Sequence, residues 1–522
     1  MICTVALMLT YAEIHYRPFG LPSLVYRSFP EIVFDAPIRT APGNPIPLFM
    51  FIKDAHNYPV TIDTVIVHIR YEDGSERVAR FPYGGLIIST QMWWDSINIL
   101  PEKTGAVRIY PYMLLTSGKR HYTVHVDSYN GTAHNPLYVY VASLSYPGEE
   151  GWYHGDIHCH TYYTNDQVEF GAPIEAMAFA AHCMGMKWFA ATDHSYDLDD
   201  RMDNYRVEDP FMLKWRSMKQ HAELLKESLG IITGEEVTCR THAGRNCHML
   251  ALNSGTFIRG SGDSGENGLD TTTEKTVGEA VSTCLEWGGI ACAAHPMEKI
   301  PLLEQLILKR GEWTISDLET PGITAMQFYN GTRDGGFRRG KKTWIQLLLK
   351  GRRIFVYGGN DAHGDMNRSR KLSLPLVSVS ETENHVFGTV RTVVRAQSFV
   401  PENIIEALRD GRAVVTDGPF IDLTVRRDGN IAYPGGETPA GDNRVQAVFM
   451  STPEFGCLKR CKIFAAVLGE EIELALNESK GSYEYTYVFD KTIELKSVMY
   501  LRAECETERG SICFTNPIWV TG

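Results

Sequence analysis

Through roughly the first 150 residues, apolar and polar positions alternate in short runs, the period of a strand with one buried face. The clearest runs are Ile46–Ile52, Thr64–Tyr71, Arg108–Leu115, His121–Asp127 and Leu137–Ala142. Asp73-Gly74, Ser117-Gly118 and Asn130-Gly131 fall between or beside them, where hairpin turns belong. No helical period competes, so residues 1–150 read as an all-β sandwich of immunoglobulin size. The opening MICTVALMLTYAEIHYRPFG has an apolar run but no basic n-region and no small-residue cleavage site, and reads as a first strand.

From 151 to 412 the pattern changes. Seven β-like runs (156–160, 187–192, 231–235, 247–252, 290–294, 323–328 and 354–358) alternate with helical candidates at 173–184, 210–228, 277–286, 301–309 and 340–350. Pro173 suits the first turn of the first helix, and Gly185 stands where a C′ glycine belongs. Alternation of this kind predicts an α/β fold with a largely parallel sheet. Seven strands with one polar edge fit a distorted barrel better than a flat sheet. Pro401–Gly411 reads as a closing helix, and from 413 to 522 short strands return as a second all-β sandwich.

The polar edge is where the chemistry gathers. Run one ends on His158 and His160, two residues of one strand face, with Asp166 in the loop beyond. Run two ends on Asp193-His194 and run three on Gly234-Glu235-Glu236; run four begins with His248. Run five ends on His295, and run seven on Asn360-Asp361-Ala362-His363. Imidazole and carboxylate together are ligands for Zn, Mn or Fe. Nine candidates (His158, His160, Asp166, His194, Glu236, His248, His295, Asp361 and His363) are too many for one cation and suit two or three sharing a carboxylate. Glu235 faces the other way on its strand, Cys159 points to the core, and His242 lies in a loop within reach of the edge.

Composition narrows the partners. At 522 residues the chain exceeds one ordinary core. Its 43% hydrophobic and 22% charged residues are those of a globular protein. A net charge of −12 with no basic run argues against nucleic acid, and no stretch approaches the ~20 apolar residues of a membrane span. Eleven scattered cysteines read as reduced thiols, with Cys457 and Cys461 as small buried hydrophobes, and the predicted compartment is cytoplasmic. Nothing in the sequence fixes the oligomeric state.

The strings DIHCHT, ATDHS, GEE, CHMLALN, AAHP and NDAH, in that order, resemble the PHP (polymerase and histidinol phosphatase) superfamily. The layout, with a β domain on either side, is most similar to its CehA/McbA-type branch. The resemblance implies a distorted (β/α)7 barrel, TIM-like in outline, over 151–412. It implies a trinuclear site: His158, His160, Glu236 and Asp361 on one ion, Glu236 bridging to a second held by His248 and His295, and His194, His363 and Asp166 on a third. Asn165 stands where relatives often carry aspartate, so Asp166 takes that place by a one-residue shift. Glu236, Asp361, His363 and His194 would be the catalytic members. The implied activity is a phosphoesterase cleaving a small phosphate mono- or diester by attack of a hydroxide held between two ions. Its substrate would be bound by arginines, with candidates Arg333, Arg338, Arg339, Arg368, Arg370 and, just before His248, Arg245. Two other readings stand beside it. One is a carboxylic or carbamic ester hydrolase using the same metals; the other is a non-catalytic carbohydrate-binding or scaffold protein, with Trp93-Trp94 as a sugar platform or as core packing.

Overall fold

The computed structural model of the protein describes residues 27–128, 135–164, 171–202, 204–262, 270–367, 371–374, 377–380, 385–480 and 484–522. The opening run read as a first strand and the Asn130-Gly131 turn lie outside these. The chain divides into two compact units. One joins Met1–Ser145, His160–Gly185 and Ala362–Phe387; the other joins Tyr146–Cys159, Met186–Asp361 and Gly388–Gly522.

In the first unit the alternating runs form two sheets. Glu31–Asp35, Ile46–Lys53 and Met92–Ile99 make one. Val60–Tyr71, Glu76–Ile88, Gly105–Ser117, Arg120–His125, Leu137–Val141 and the short Arg39–Thr40 make the other. Ile32, Leu48, Ile62, Val67, Ile109 and Val139 fill the core of this unit. Gly74 and Gly118 sit at φ 85° and 60°, the left-handed conformation that tight hairpins require. Ile46–Lys53 is buried along its whole length because its second face is also covered. The covering element is the helix Ile174–Met184: Phe179 meets Phe49 edge to face at 6.1 Å, and Arg39 donates to the Met184 carbonyl at 2.6 Å. A helix expected to serve the α/β alternation packs on the N-terminal sheet instead. Trp93 packs on this unit's core and against Tyr83, so it is no exposed platform.

The second unit is built on one long sheet. Its first strands are β1 (Trp152–His160, whose last residue belongs to the first unit), β2 (Trp188–Ala191), β3 (Gly230–Arg240), β4 (Asn246–Leu252), β5 (Ile290–Ala294), β6 (Ile323–Asn330) and β7 (Phe355–Gly359). They pair in sequence order, and β1 continues through β8 (Arg391–Arg395) and β9 (Ala413–Thr416) into the C-terminal strands. The strands expected as a separate C-terminal sandwich thus extend the same sheet, with a four-stranded sheet holding Phe420–Arg427 and Asp442–Met450 alongside. The helices α1 (Leu213–Leu225), α2 (Val277–Glu286), α3 (Gly335–Leu349) and α4 (Pro401–Arg409) lie close to the predicted spans. A reciprocal capping box between Thr276 and Glu279 starts α2, and Asp334 caps α3 by accepting the Phe337 N–H.

The barrel expectation needs correction. Strand outweighs helix, and the directions are mixed: β1, β2 and β3 are parallel, β4 runs antiparallel to both β3 and β5, and β5, β6 and β7 are parallel again. Only residues 241–245 separate β3 from β4, which is too short for a crossover helix and forces a hairpin. Among the described residues no strand ladder pairs β7 itself with β1, although just past β7 the Asn360 and Asp361 N–H groups both donate to the His158 carbonyl. At β7 side chains stand in for a ladder: Val356 N–H donates to Asn516 Oδ1 at 2.7 Å and Gly358 N–H to Thr392 Oγ1 at 2.8 Å. A (β/α)7 barrel is not what these pairings show. No helix among the described residues is long and apolar enough to cross a membrane.

Gly155 on β1 has a packing reason. A Cβ there would meet the Trp188 ring at 2.2 Å, and Trp188 is fully buried with its indole N–H held by the Tyr153 carbonyl. Gly155→Ala is expected to cost about 1–3 kcal/mol by overpacking, read as a lower urea midpoint at unchanged m-value.

Candidate metal centre

Five residues of the second unit converge on one carboxylate, that of Glu236. Glu236 lies on the core-facing side of β3 and is fully buried. The β3–β4 register sets Thr238 opposite His248, so Glu236 and His248 share a face of the hairpin, and His248 Nδ1 lies 2.9 Å from Glu236 Oε1. Beyond β2 the chain makes a single parallel bridge to Glu236, which sets His194 Nδ1 3.1 Å from Glu236 Oε2. His295 follows β5, its Nε2 3.0 Å from Glu236 Oε1. His158 Nε2 stands 3.5 Å from the same oxygen and 3.3 Å from Asp361 Oδ1. One atom each from His194, Glu236 and His248 lie within 4.8 Å of one another, as do those of His158, Glu236 and Asp361.

The backbone is shaped for this convergence. His295 and Asp361 adopt φ of 27° and 53°, left-handed conformations that cost non-glycine residues about 1–3 kcal/mol each and are found where function demands them. Asp361 is held there by its own N–H, which donates to the His158 carbonyl at 2.8 Å. Next to it, Asn360 Nδ2 donates to Asp156 Oδ2 at 2.6 Å and to the Val390 carbonyl, locking the end of β7 to β1 and the start of β8. Burial pushes the Asp156 carboxyl up to about 6, against hydrogen bonds from Asn360, Gly388 and His158 that lower it. Burial also disfavours a charged His295. The hydrogen bond to Glu236 and the charges of Glu298, Glu236 and Asp361 outweigh it, holding that imidazole above its ordinary range.

His160 and His363 belong to the first unit, where their rings stack at 4.2 Å and His160 Nδ1 lies 3.2 Å from Thr164 Oγ1. Asp166, expected beside His194 and His363 in a third set, lies outside the described residues. Glu235 turns away, accepting from Ile258 N–H at 2.9 Å and from the Ser195 hydroxyl at 3.1 Å, and burial raises its pKa well above the carboxylate range. His242 is an exposed ring paired with the buried Asp317 at 2.5 Å. Cys159 is core, its Sγ 3.0 Å from the Ala190 carbonyl.

Sequence reasoning missed Gln327, Asn330 and Glu298. Gln327 Oε1 lies 3.1 Å from His158 Nδ1, and Glu298 Oε2 3.4 Å from His295 Nδ1. The available signal was a lone glutamine in the otherwise apolar ITAMQFY. A small cleft lined by His295, Met297, Glu298, Phe328 and Asn330 adjoins the cluster.

Three of the arginines expected to hold a phosphate have other partners. Arg245 donates to the Gln305 carbonyl at 2.9 Å, and Arg339 to the Met297 carbonyl at 2.6 Å and to Glu312 at 2.7 Å. Arg333 lies 3.8 Å from Asp417, Arg338 is exposed on α3, and Arg368 and Arg370 lie outside the described residues.

No protein-family model matches the chain, and no curated protein matches it. Among solved structures, a Bacteroides uniformis beta-glucuronidase is similar at 11% identity and a TM-score of 0.17, over 94% of this chain and 61% of its own. A putative beta-galactosidase from Bacteroides fragilis is similar at 9% identity and a TM-score of 0.19, over 94% and 73%. A Parabacteroides merdae beta-glucuronidase is similar at 7% identity and a TM-score of 0.19, over 95% and 66%. The chain thus spans less than two thirds of the length of the first of these. Arg245, Arg333 and Arg339, expected to hold a phosphate, are engaged with other groups, and the expectation of a phosphoesterase is corrected on that ground.

Proposed function

We propose that the second unit holds divalent cations at Glu236 and hydrolyses a carboxylic or carbamic ester there. The carrying observation is the crowding of one oxygen. His248, His295 and His158 place ring nitrogens 2.9, 3.0 and 3.5 Å from Glu236 Oε1, while that oxygen has only two lone pairs to offer. Such a surplus of buried imidazoles around a carboxylate fits a cation-ligand set better than a hydrogen-bond network. His158 and Asp361 with Glu236 would hold one cation; His194 and His248 with the same Glu236 would hold another, with His295 next to both carboxylates. Cations held there supply positive charge that acidifies a water and stabilises an oxyanion developing on the substrate carbonyl. Glu298 holds a proton on His295 Nδ1 and so turns Nε2 toward Glu236. Burial of Glu236 and His158 keeps bulk water off the reacting carbonyl. With carboxylates around it and, among the described residues, no arginine engaged there, the site favours an uncharged acyl group.

The test is a comparison of naphthyl acetate, a naphthyl carbamate, p-nitrophenyl phosphate and p-nitrophenyl glycosides before and after chelation. Ester or carbamate turnover that disappears with chelation and returns with Zn or Mn is the expected result. Glycoside turnover that persists in chelator overturns it, and a protein that neither takes up metal nor turns over any of these is a binding protein.

A further inference from the structure

Gln327 and Asn330 stand on β6, both buried, and carboxamides are poor ligands for Zn, Mn or Fe. Their side chains nonetheless reach three residues of the centre. Gln327 Oε1 faces His158 Nδ1 at 3.1 Å and accepts the His295 backbone N–H at 3.2 Å. Gln327 Nε2 donates to Asn330 Oδ1 at 2.9 Å. Asn330 Nδ2 donates to Asp361 Oδ2 at 3.3 Å and to Glu298 Oε2 at 3.5 Å.

We propose that Gln327 and Asn330 are positioning residues that decide which nitrogen of His158 is left to bind a cation. The proposal rests on the metal-centre reading above and adds the part that orients it. Every bond in the chain has a forced direction. The two carboxylates only accept, so Asn330 presents its NH2 to Asp361 and Glu298 and its carbonyl to Gln327. Gln327 must then donate at that end and accept at the other. The backbone N–H of His295, which can only donate, requires the same orientation independently. His158 Nδ1 therefore carries the proton, and the lone pair sits on Nε2, the atom that faces Glu236 and Asp361. The same amide pair also grips the backbone of His295 and the carboxylate of Asp361, the two positions with left-handed φ.

Two measurements test this on the full-length protein. In metal-free protein labelled with 15N-histidine, two-bond proton–nitrogen correlations read the tautomer of His158, assigned by its loss in His158→Asn. The wild type should keep Nδ1 protonated, Gln327→Leu should shift the neutral ring toward the Nε2–H form that the facing carboxylates favour, and Gln327→Glu, which keeps the acceptor, should keep the wild-type form. In competition titrations with a chromophoric chelator, Gln327→Leu should weaken binding of Zn by about 10- to 100-fold, the usual effect of losing a partner that orients a ligand, and Gln327→Glu should restore most of it. An unchanged tautomer and affinity in Gln327→Leu overturn the proposal. A wild type that binds no Zn, with a tautomer that still changes in Gln327→Leu, leaves the positioning role standing and removes the metal-centre reading instead.

Discussion

Glu236→Gln is expected to lower divalent-metal affinity by more than about 100-fold and to remove hydrolysis with it. Partners that only orient a ligand are each worth about 10- to 100-fold, and Glu236 is within reach of four imidazoles. Glutamine keeps the shape and one acceptor, so the hairpin of β3 and β4 should still form. What it lacks is the charge that would offset two cations in a dry site. Metal content after dialysis, measured beside circular dichroism, checks this: loss of metal at native ellipticity is the expected pair. Full metal content in Glu236→Gln would place the cations elsewhere.

Arg502→Met is expected to destabilise the second unit by about 3–5 kcal/mol, the usual cost of breaking a buried ion pair from one side. Arg502 is 1% exposed and pairs with Glu473 and Glu504, while Lys341 on α3 reaches Glu504 at 2.7 Å. The guanidinium also lies 5.4 Å from the Trp344 ring, so it joins α3 to the C-terminal strands. Removing it deprives the buried Glu473 of its guanidinium partner and leaves Glu504 to Lys341. Burial pushes Glu504 up, but the charges of Arg502 and Lys341 and their hydrogen bonds outweigh it and hold the carboxyl down to about 2. A carboxyl lowered in the folded state adds stability above its ordinary range near 4.3, and that contribution is lost as pH falls toward 2. Urea midpoints from pH 7 to pH 3 should therefore fall with acid in the wild type, and less of that fall should trace to Glu504 in Arg502→Met. Equal midpoints for the two proteins at pH 7 would refute the bolt.

The sequence was most legible where a single physical signal acted alone. Period-two alternation located Val60–Tyr71 and Gly105–Ser117, and the helical run 277–286 matches α2. Strand direction was not legible. A run such as CHMLALN looks the same parallel or antiparallel, and the short 241–245 link was the only cue that β4 reverses. Unit boundaries were hidden for a similar reason: the apolar face of Ile174–Met184 does not name its partner, and it packs on Ile46–Lys53. At the centre, His158, His194, Glu236, His248, His295 and Asp361 were readable because imidazoles and carboxylates at strand ends are conspicuous. The amides behind them were not, since a glutamine inside an apolar strand carries no motif. The phosphate ester was an implication of the resemblance, and the arginines offered for it were chosen by proximity in sequence, which says nothing of where a guanidinium points.

The left-handed backbone at His295 and Asp361 governs which amino acids a saturation library could accept at each position. Isoleucine, valine and threonine are barred by their branched Cβ, whatever their chemistry, while glycine and asparagine enter the conformation readily. At 361 asparagine thus becomes the informative swap, separating the carboxylate's charge from the turn that carries it. Drift in these two sites is narrowed by chain geometry before any ligand preference is felt.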